Sequence, residues 1–325
     1  MRVPALFGEV LPDQGVRCNL CPLLCCIPEG KNGVCRFRSN HGGKLYLENY
    51  GEIVDIAIEP IEKKPLYHYY PGSKTVSIGT NGCNMSCSFC QNYQISQETY
   101  PVKTLTHDEL LRKLPGTIGV TYTFNEPLVW YEYVEDTCKV VRGAGYKNIL
   151  NTNGLINPGP LQRILPYIDA INLDLKGFSD TFYQKVCGSP LRPILDTALA
   201  LKADGVFFEI SHLIIPLSND HETQPLGRWI LENLGDCIPI HLNAYYPRYK
   251  MAHDATTGEM LLRHKKDYLS MGHKYVYTGN SLVEGNETRC KNCGTILITR
   301  KGNKIDLLTE GGRCKFCGTY NHIVQ

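Results

Sequence analysis

The sequence has no long hydrophobic run and little net charge, and each absence argues against a class of function. No apolar stretch approaches the ~20 residues that a membrane-spanning helix needs. The formal net charge of the 325-residue chain is only +2, so the overall charge does not favour nucleic acid or an anionic membrane as a partner. Residues 1–9 contain Arg2 and Glu9 and lack the pattern of a signal peptide. We therefore expect a cytoplasmic protein with no nucleic-acid or membrane partner.

Cysteine, in contrast, is abundant. In a cytosolic chain, clustered cysteines indicate metal ligands before they indicate disulfides. Eleven of the fifteen cysteines fall into three groups, which are Cys18, Cys21, Cys25 and Cys35, then Cys83, Cys87 and Cys90, then Cys290, Cys293, Cys314 and Cys317. Three others are isolated in the sequence and are expected to be small buried side chains, namely Cys138, Cys187 and Cys237.

The central group lies in a polar loop, residues 79–92, and has the spacing C-x3-C-x2-C. Thiolates this close can bind one soft metal centre, either an iron–sulfur cluster or zinc. A structural zinc site needs a fourth protein ligand, and the next Cys or His is His107. Three thiolates on a cubane cluster leave one iron open for another ligand. There are two alternatives. The three cysteines could belong to a zinc knuckle with a distant fourth ligand, or they could be free thiols that bind no metal.

From residue 75 onward, short β-branched runs alternate with longer helical stretches, which predicts βα units and a parallel sheet. The predicted strands are 75–79, 118–123, 148–152, 170–174, 207–215, 238–243 and 275–277, and the predicted helices include 107–114, 128–144 and 193–203. Polar residues recur after these strands, where ligands bind in such folds. The predicted fold class is α/β, a partial to near-complete (β/α) barrel with small cysteine-rich modules at both ends.

We predict three units: an N-terminal module with a hairpin and linker over 1–72, the barrel over 73–283, and a C-terminal module over 284–325. Apolar and polar residues alternate over 44–59, which predicts a hairpin that turns at Gly51. Residues 60–72 are rich in Tyr and Lys. They form either a substrate or partner surface or a packed linker.

Each terminal module carries four cysteines that suit a closed metal site. In the N-terminal module, four thiolates favour zinc, with an auxiliary iron–sulfur cluster as the alternative. The Cys25-Cys26 doublet leaves the identity of the third ligand ambiguous. In the C-terminal module two C-x2-C pairs flank a predicted hairpin over 296–308, which is typical of a zinc ribbon or a rubredoxin-like knuckle. Zinc is the prediction there, with iron as the alternative.

Several motifs together resemble the radical S-adenosylmethionine (SAM) enzymes, in the branch of the pyruvate formate-lyase activating enzymes. These motifs are the cysteine loop with Phe89 before its last Cys, Asn125-Glu126-Pro127, Thr152-Asn153-Gly154, Asp174-Leu175-Lys176 and His241. The N-terminal cysteines and residues 61–68, 246–249 and 277–280 further resemble the subgroup called the AmmeMemoRadiSam system radical SAM enzyme. This resemblance runs from Cys18 to about Cys317 and makes Cys25 the third N-terminal ligand.

The resemblance implies that Cys83, Cys87 and Cys90 hold a 4Fe–4S cluster whose open iron binds SAM, with Phe89 among the SAM-binding residues. Asn125 and Glu126 match a Gly-Gly-Glu element at the SAM amino group, although Phe124-Asn125 replaces the two glycines. A carboxylate there would accept hydrogen bonds from that amino group.

Further SAM contacts are implied at the ends of later strands. Thr152, Asp174 and Lys176 match residues around the SAM carboxylate and a monovalent cation, with Asn151 in place of an Asp. His241 matches a histidine near the adenosyl group. From the residues alone, the alternatives are that Asp174 and Lys176 form a structural ion pair and that His241 is a core histidine.

The function implied is that of an oxidoreductase in which an electron from the cluster cleaves SAM to a 5′-deoxyadenosyl radical, which abstracts hydrogen from a substrate. Candidate substrates are a glycine of a partner protein and an unidentified small molecule or peptide. The electron donor would be a protein such as a flavodoxin or ferredoxin. The alternative is a non-catalytic iron–sulfur electron carrier or a zinc-dependent binding module.

Overall fold

One mixed β-sheet forms the centre of the molecule. The computed structural model describes residues 1–283, 285–302 and 304–325, so the predicted module boundary at residue 284 lies outside the described residues. The eight strands of the sheet are β1 (Asp55–Pro60), β2 (Lys74–Gly79), β3 (Gly119–Tyr122), β4 (Lys147–Thr152), β5 (Ala170–Asp174), β6 (Phe207–Ile214), β7 (Ile240–Ala244) and β8 (Val276–Gly279).

The strands lie side by side in chain order. Strands β2 to β8 are parallel, and β1 pairs antiparallel with β2. Sequential order, without a switch point, is the arrangement of (β/α) barrels and not of doubly wound sheets. Among the described residues no ladder joins β1 to β8, so the predicted α/β fold is present as an open sheet of eight strands.

Helices connect the parallel strands. They are α1 (Tyr93–Ser96), α2 (His107–Leu111), α3 (Tyr131–Gly143), α4 (Pro158–Ile164), α5 (Asp180–Phe182), α6 (Arg192–Asp204), α7 (Thr223–Leu234) and α8 (Gly258–Met271). Local sequence explains several of their ends. Thr257 caps α8 by accepting a hydrogen bond from the backbone of Met260, and Gly205 ends α6 in the left-handed conformation, with φ of +68°. No helix in the described part of the chain is both long enough and apolar enough to span a membrane.

The predicted hairpin over 44–59 is wrong. Strand Lys44–Leu47 pairs with Arg38–His41 and Val3–Pro4 in a small sheet, whereas Glu52–Ile53 pairs with Lys103–Thr104. The remainder of the stretch becomes β1, whose partner is β2. Alternation of apolar and polar residues identifies a half-buried strand but not the strand it pairs with.

Both terminal modules are built from short antiparallel strands. The N-terminal module has a second small sheet of Gly8–Val10, Val16–Cys18 and Cys26–Ile27. In the C-terminal module the predicted hairpin is present, formed by Ile296–Lys301 and Lys304–Leu307, with Thr288–Arg289 as a third strand. The two C-x2-C pairs flank this hairpin, so its fold brings them together.

Candidate active site

A cavity of about 780 Å³ opens at the carboxyl ends of the parallel strands. All ten predicted catalytic and cofactor-binding residues line it, namely Cys83, Cys87, Phe89, Cys90, Asn125, Glu126, Thr152, Asp174, Lys176 and His241. They come from the loop after β2, from the carboxyl ends of β3, β4 and β5 or the residues that follow them, and, for His241, from the second position of β7. Because the carboxyl ends of parallel strands meet at one edge of the sheet, distant sequence motifs converge here.

The loop that carries Cys83, Cys87 and Cys90 is held by backbone hydrogen bonds on several sides. The amides of Ser86 and Ser88 donate to the carbonyls of Cys187 and Val186, each at 2.9 Å. The Gly82 amide donates to Ile95 O at 2.8 Å, and the Lys250 amide donates to Ser88 O at 2.9 Å. These contacts fix the loop before any cofactor is added.

The three central thiols fit an iron–sulfur cluster better than a single metal ion. Burial is the main cause that raises the pKa of Cys83 and of Cys90, so their thiolates need a positive centre nearby. Among the described residues, these sulfurs do not belong to any set of three ligand atoms within 4.8 Å of one another. A cluster binds each thiolate on a different iron and so spreads its ligands, whereas one ion gathers them.

Glu126 is buried at the end of β3, and its carboxylate accepts three hydrogen bonds. The donors are the Leu128 amide at 3.0 Å, the Asn153 amide at 2.8 Å and the Thr152 hydroxyl at 2.9 Å. Burial raises the pKa of Glu126 to about 7, although these hydrogen bonds act in the opposite direction. The hydroxyl of Thr152 is therefore committed to Glu126.

Asn125 stands where the resemblance led us to expect glycine. Its Nδ2 donates to Gly82 O at 2.6 Å, and its Oδ1 accepts from the Thr80 amide at 3.3 Å. The preceding residue, Phe124, has a φ of +73°, a conformation that usually favours glycine. The side chain of Asn125 thus ties the end of β3 to the cysteine loop.

Lys176 and Asp174 form an ion pair at the end of β5, with Nζ 2.5 Å from Oδ2. Burial opposes the charge of Lys176, but Asp174 outweighs it and the pKa of the lysine rises. Its Nζ also lies 6.0 Å from the ring centre of Phe89, which stacks on Phe182. The pair lines the cavity, so its lysine is available to an anionic group there.

The chain matches the Radical SAM superfamily over residues 77–230. It contains a radical SAM domain. It also belongs to one family with "Uncharacterized protein MJ0808" of Methanocaldococcus jannaschii, which is 40% identical over 332 residues, 98% of this chain and 99% of the relative. The radical SAM domain implies SAM and a 4Fe–4S cluster as cofactors, in agreement with the three thiols and the cavity.

Two named relatives are activating enzymes. The pyruvate formate-lyase 1-activating enzyme of Escherichia coli K12 is 24% identical over 188 residues, which are 54% of this chain and 75% of the relative. The pyruvate formate-lyase-activating enzyme of Staphylococcus epidermidis is 26% identical over 191 residues, 53% of this chain and 76% of the relative. This homology supports an enzyme with SAM-cleaving radical chemistry.

Solved structures share the fold of the radical SAM domain. A radical SAM methyltransferase from Sphaerobacter thermophilus aligns with a TM-score of 0.53 at 16% identity, over 70% of this chain and 71% of that chain. Streptococcus suis SuiB bound to precursor peptide SuiA aligns with a TM-score of 0.52 at 16% identity, over 68% of this chain and 51% of that chain. At such identities the likeness concerns the fold alone.

His241, which lies in β7 beyond the residues that match the family, is held by a carboxylate that sequence reasoning missed. Its Nε2 donates to Glu209 of β6 at 2.6 Å. Glu209 is fully buried and also accepts from the amides of Tyr67 at 3.0 Å and His68 at 2.7 Å. Although burial acts to raise it, the pKa of Glu209 is lowered by the bond to His241. The signal in the sequence was an acidic residue inside an apolar strand.

Cys187 is another residue near the site that the sequence did not single out. It is buried, as expected, but it lies next to the cysteine loop at the end of a π-helical turn, Tyr183–Cys187. The pKa of Cys87 is raised mainly by a hydrogen bond with the Cys187 thiol and, as the second cause, by burial. Nothing in the spacing of Cys187 indicated this contact, because some hundred residues separate the two cysteines.

The two outer cysteine groups differ in arrangement. In the C-terminal module all four sulfurs lie within 4.8 Å of one another, with Cys290 and Cys317 at 3.6 Å and Cys293 and Cys314 at 3.6 Å. In the N-terminal module the four predicted ligands line a small cavity instead. Cys25 lines that cavity whereas the Cys26 side chain is exposed, which resolves which member of the doublet faces the other cysteines.

Proposed function

We propose that the chain is a radical SAM oxidoreductase of the activating-enzyme type, within the AmmeMemoRadiSam subgroup. Cys83, Cys87 and Cys90 bind a site-differentiated 4Fe–4S cluster, and SAM occupies the adjoining cavity. The observation that carries the proposal is the convergence on that cavity of residues that follow or end β2, β3, β4 and β5, together with His241 of β7. Held by these three thiolates and reduced by an electron-donor protein, the cluster would supply the one electron needed to cleave SAM to methionine and a 5′-deoxyadenosyl radical, which would take a hydrogen atom from the substrate.

The protein side chains orient SAM in this proposal. Glu126 accepts hydrogen bonds from the SAM amino group, since its carboxylate is buried and fixed by three donors. Lys176 pairs with the SAM carboxylate. His241, whose ring is fixed by Glu209 and packs edge-on against Tyr67 at 4.6 Å, contacts the adenosyl group.

The substrate we propose is a glycine of a partner protein or peptide. The names of the homologous activating enzymes support this class of substrate. The cavity also extends past the residues assigned to SAM, to a charged segment before β2 that contributes Glu59, Glu62, Lys63 and Lys64. The rim of a protein–protein interface is polar and accessible to solvent, so these charged side chains suit the edge of a surface that binds a peptide. Residues 60–72 thus belong to the substrate surface.

The C-terminal module binds zinc in this proposal. Four thiolates around one ion at a Zn–S distance of about 2.3 Å would stand ~3.8 Å apart. The 3.6 Å separations of Cys290 from Cys317 and of Cys293 from Cys314 agree with that geometry. The site closes with four protein ligands, so its role is structural.

SAM cleavage by the anaerobically reconstituted protein tests the proposed chemistry. With SAM and dithionite, the wild-type protein should accumulate 5′-deoxyadenosine and methionine, measured by chromatography and mass spectrometry. Cys87→Ala should reduce this rate at least a thousandfold, roughly 4 kcal/mol or more in the barrier, because a cluster ligand is lost. Cys237→Ala removes a thiol that lies beside Lys291 and does not line the cavity, and it should leave the rate unchanged.

The same experiment separates the enzyme from a non-catalytic electron carrier. A carrier would show a normal cluster spectrum that bleaches on reduction, yet it would release no 5′-deoxyadenosine. That result, or equal rates for Cys87→Ala and wild type, would refute the proposed function.

A further inference from the structure

The four N-terminal cysteines surround a cavity of about 20 Å³ instead of closing on one point. Cys18, Cys21, Cys25 and Cys35 all line it, together with apolar side chains such as Leu20 and Val129. We propose that these four cysteines hold a second iron–sulfur cluster and not a zinc ion. This inference goes beyond SAM cleavage and does not depend on it.

The C-terminal module provides an internal comparison. That module also has four cysteines, and their sulfur atoms all lie within 4.8 Å of one another, as ligands of one tetrahedral ion do. Among the described residues the N-terminal cysteines form no such set. Thiolates bound to different irons of a cluster stand farther apart than thiolates on one ion. The wider spacing therefore favours the iron–sulfur alternative.

Packing supports the same conclusion. Protein interiors are close-packed, and voids large enough for a water molecule are few. The N-terminal cavity is large enough for a water-sized group, and thiols and apolar side chains form most of its walls. The two polar side chains that also line it have partners elsewhere, since Arg38 pairs with Glu132 and Asn84 donates to Leu155 O. The walls therefore offer water few partners. Cys18 and Cys35 are buried, so the cavity is closed on that side. An apolar, sulfur-rich group fits these walls.

The proposed cluster adjoins the catalytic loop. A Cβ placed on Gly82 would lie 2.7 Å from the carbonyl oxygen of Cys35, so the two segments are in direct contact. Asn84 lines the N-terminal cavity, whereas its neighbour Cys83 lines the SAM cavity. Arg36 also donates to Ser96 O, just after the loop, at 2.9 Å. We therefore expect magnetic interaction between the two clusters when both are reduced.

The test is metal analysis of a protein without the central thiols. Cys83→Ala/Cys87→Ala/Cys90→Ala, purified and reconstituted anaerobically, should retain about two to four irons per chain with an equal amount of acid-labile sulfide. It should also contain about one zinc per chain, at the C-terminal site. About two zinc ions per chain with no sulfide, or no metal beyond the C-terminal zinc, would overturn the proposal.

A matched pair of cysteine substitutions assigns the cluster to its site. In the triple-variant background, Cys25→Ala should lose the remaining iron and sulfide, whereas Cys26→Ala should keep both, because the Cys26 side chain is exposed outside the cavity. Far-ultraviolet circular dichroism and the thermal unfolding transition of each variant, compared with those of the triple variant, show whether it is folded. In the wild-type protein, electron paramagnetic resonance should show the split or broadened signal of two interacting clusters. Equal iron in the Cys25 and Cys26 variants would also contradict the assignment.

Discussion

Glu126 is the residue whose charge depends most directly on its surroundings. Burial raises its pKa to about 7, so the carboxyl group takes up a proton as the pH falls through neutrality. An ionised carboxylate is the stronger hydrogen-bond acceptor for the SAM amino group. We expect the affinity for SAM to fall about tenfold between pH 8 and pH 6, as the ionised fraction falls. Equilibrium binding of SAM to the reconstituted protein across this range measures the effect.

Glu126→Gln is the control for this pH dependence. Glutamine keeps the shape and one acceptor oxygen but cannot ionise. The variant should bind SAM more weakly than the wild type at pH 8. The ratio of the variant's dissociation constant to that of the wild type should fall as the pH is lowered to 6. Because SAM titrates identically in both measurements, its own titration does not affect this ratio. A ratio that stays constant with pH would show that Glu126 does not titrate at the SAM site.

Single residues also show what sequence reasoning could and could not reach. Nine of the ten residues predicted to line the cavity belong to short motifs that follow or end a strand, and only His241 is a single residue inside a strand. Glu209 and Cys187 could not be assigned, because their importance comes from contacts with His241 and Cys87, which are distant in sequence. The hydrogen bond from Asn125 to Gly82 O could not be predicted either, because the two residues come together only in the folded cysteine loop.

At the scale of elements, the cysteine loop packs closely against the N-terminal module, which explains why residue 82 is a glycine. Its φ of +103° and a Cβ position 2.7 Å from Cys35 O and 2.8 Å from the Phe37 ring leave no room for a side chain. Gly82→Ala should therefore lower the free energy of unfolding by roughly 1–3 kcal/mol and reduce iron incorporation. Anaerobic thermal unfolding and iron analysis measure the two effects.

Gly143→Ala is the matched control for Gly82→Ala. Gly143 lies at the end of α3, and no other atom lies within 4 Å of its would-be Cβ. This change should leave iron content unchanged and have little effect on stability or raise it by up to about 1 kcal/mol. If both alanine variants behave alike, the contact between loop and module is not tight.

The strand pattern was predictable to within a few residues because buried parallel strands are apolar over their whole length. Ala170–Asp174 was predicted with the bounds it has, and the other parallel strands differ only at their ends. Strand β1 was missed as a member of the sheet. It lies at the edge, antiparallel to β2, and its sequence resembles an ordinary hairpin strand, so only the tertiary structure identifies its partner.

At the scale of the whole molecule, Arg300 of the C-terminal module contacts Tyr67, a residue that lines the cavity. Its guanidinium lies 4.3 Å from the ring centre of Tyr67, and its Nη2 donates to Tyr67 O at 2.7 Å. The chain terminus adds backbone bonds, since the Val324 amide donates to His68 O at 2.8 Å. Tyr67 in turn packs on His241. The two cysteine modules thus contact the cavity from different sides, one at the cysteine loop and one at the proposed adenosyl site.

Arg300→Ala tests whether the C-terminal module supports SAM binding. Loss of the contact with the Tyr67 ring should weaken the affinity for SAM by roughly two- to fivefold, as expected for a cation–π contact of about 0.5–1 kcal/mol. Zinc and iron contents should not change, because Arg300 is not a ligand. Arg289→Ala is the control, since the side chain of Arg289 contacts only Gly294 O of its own module, at 3.4 Å, in the described structure. Equal SAM affinity in the two variants would mean that Tyr67 keeps its position without the C-terminal module.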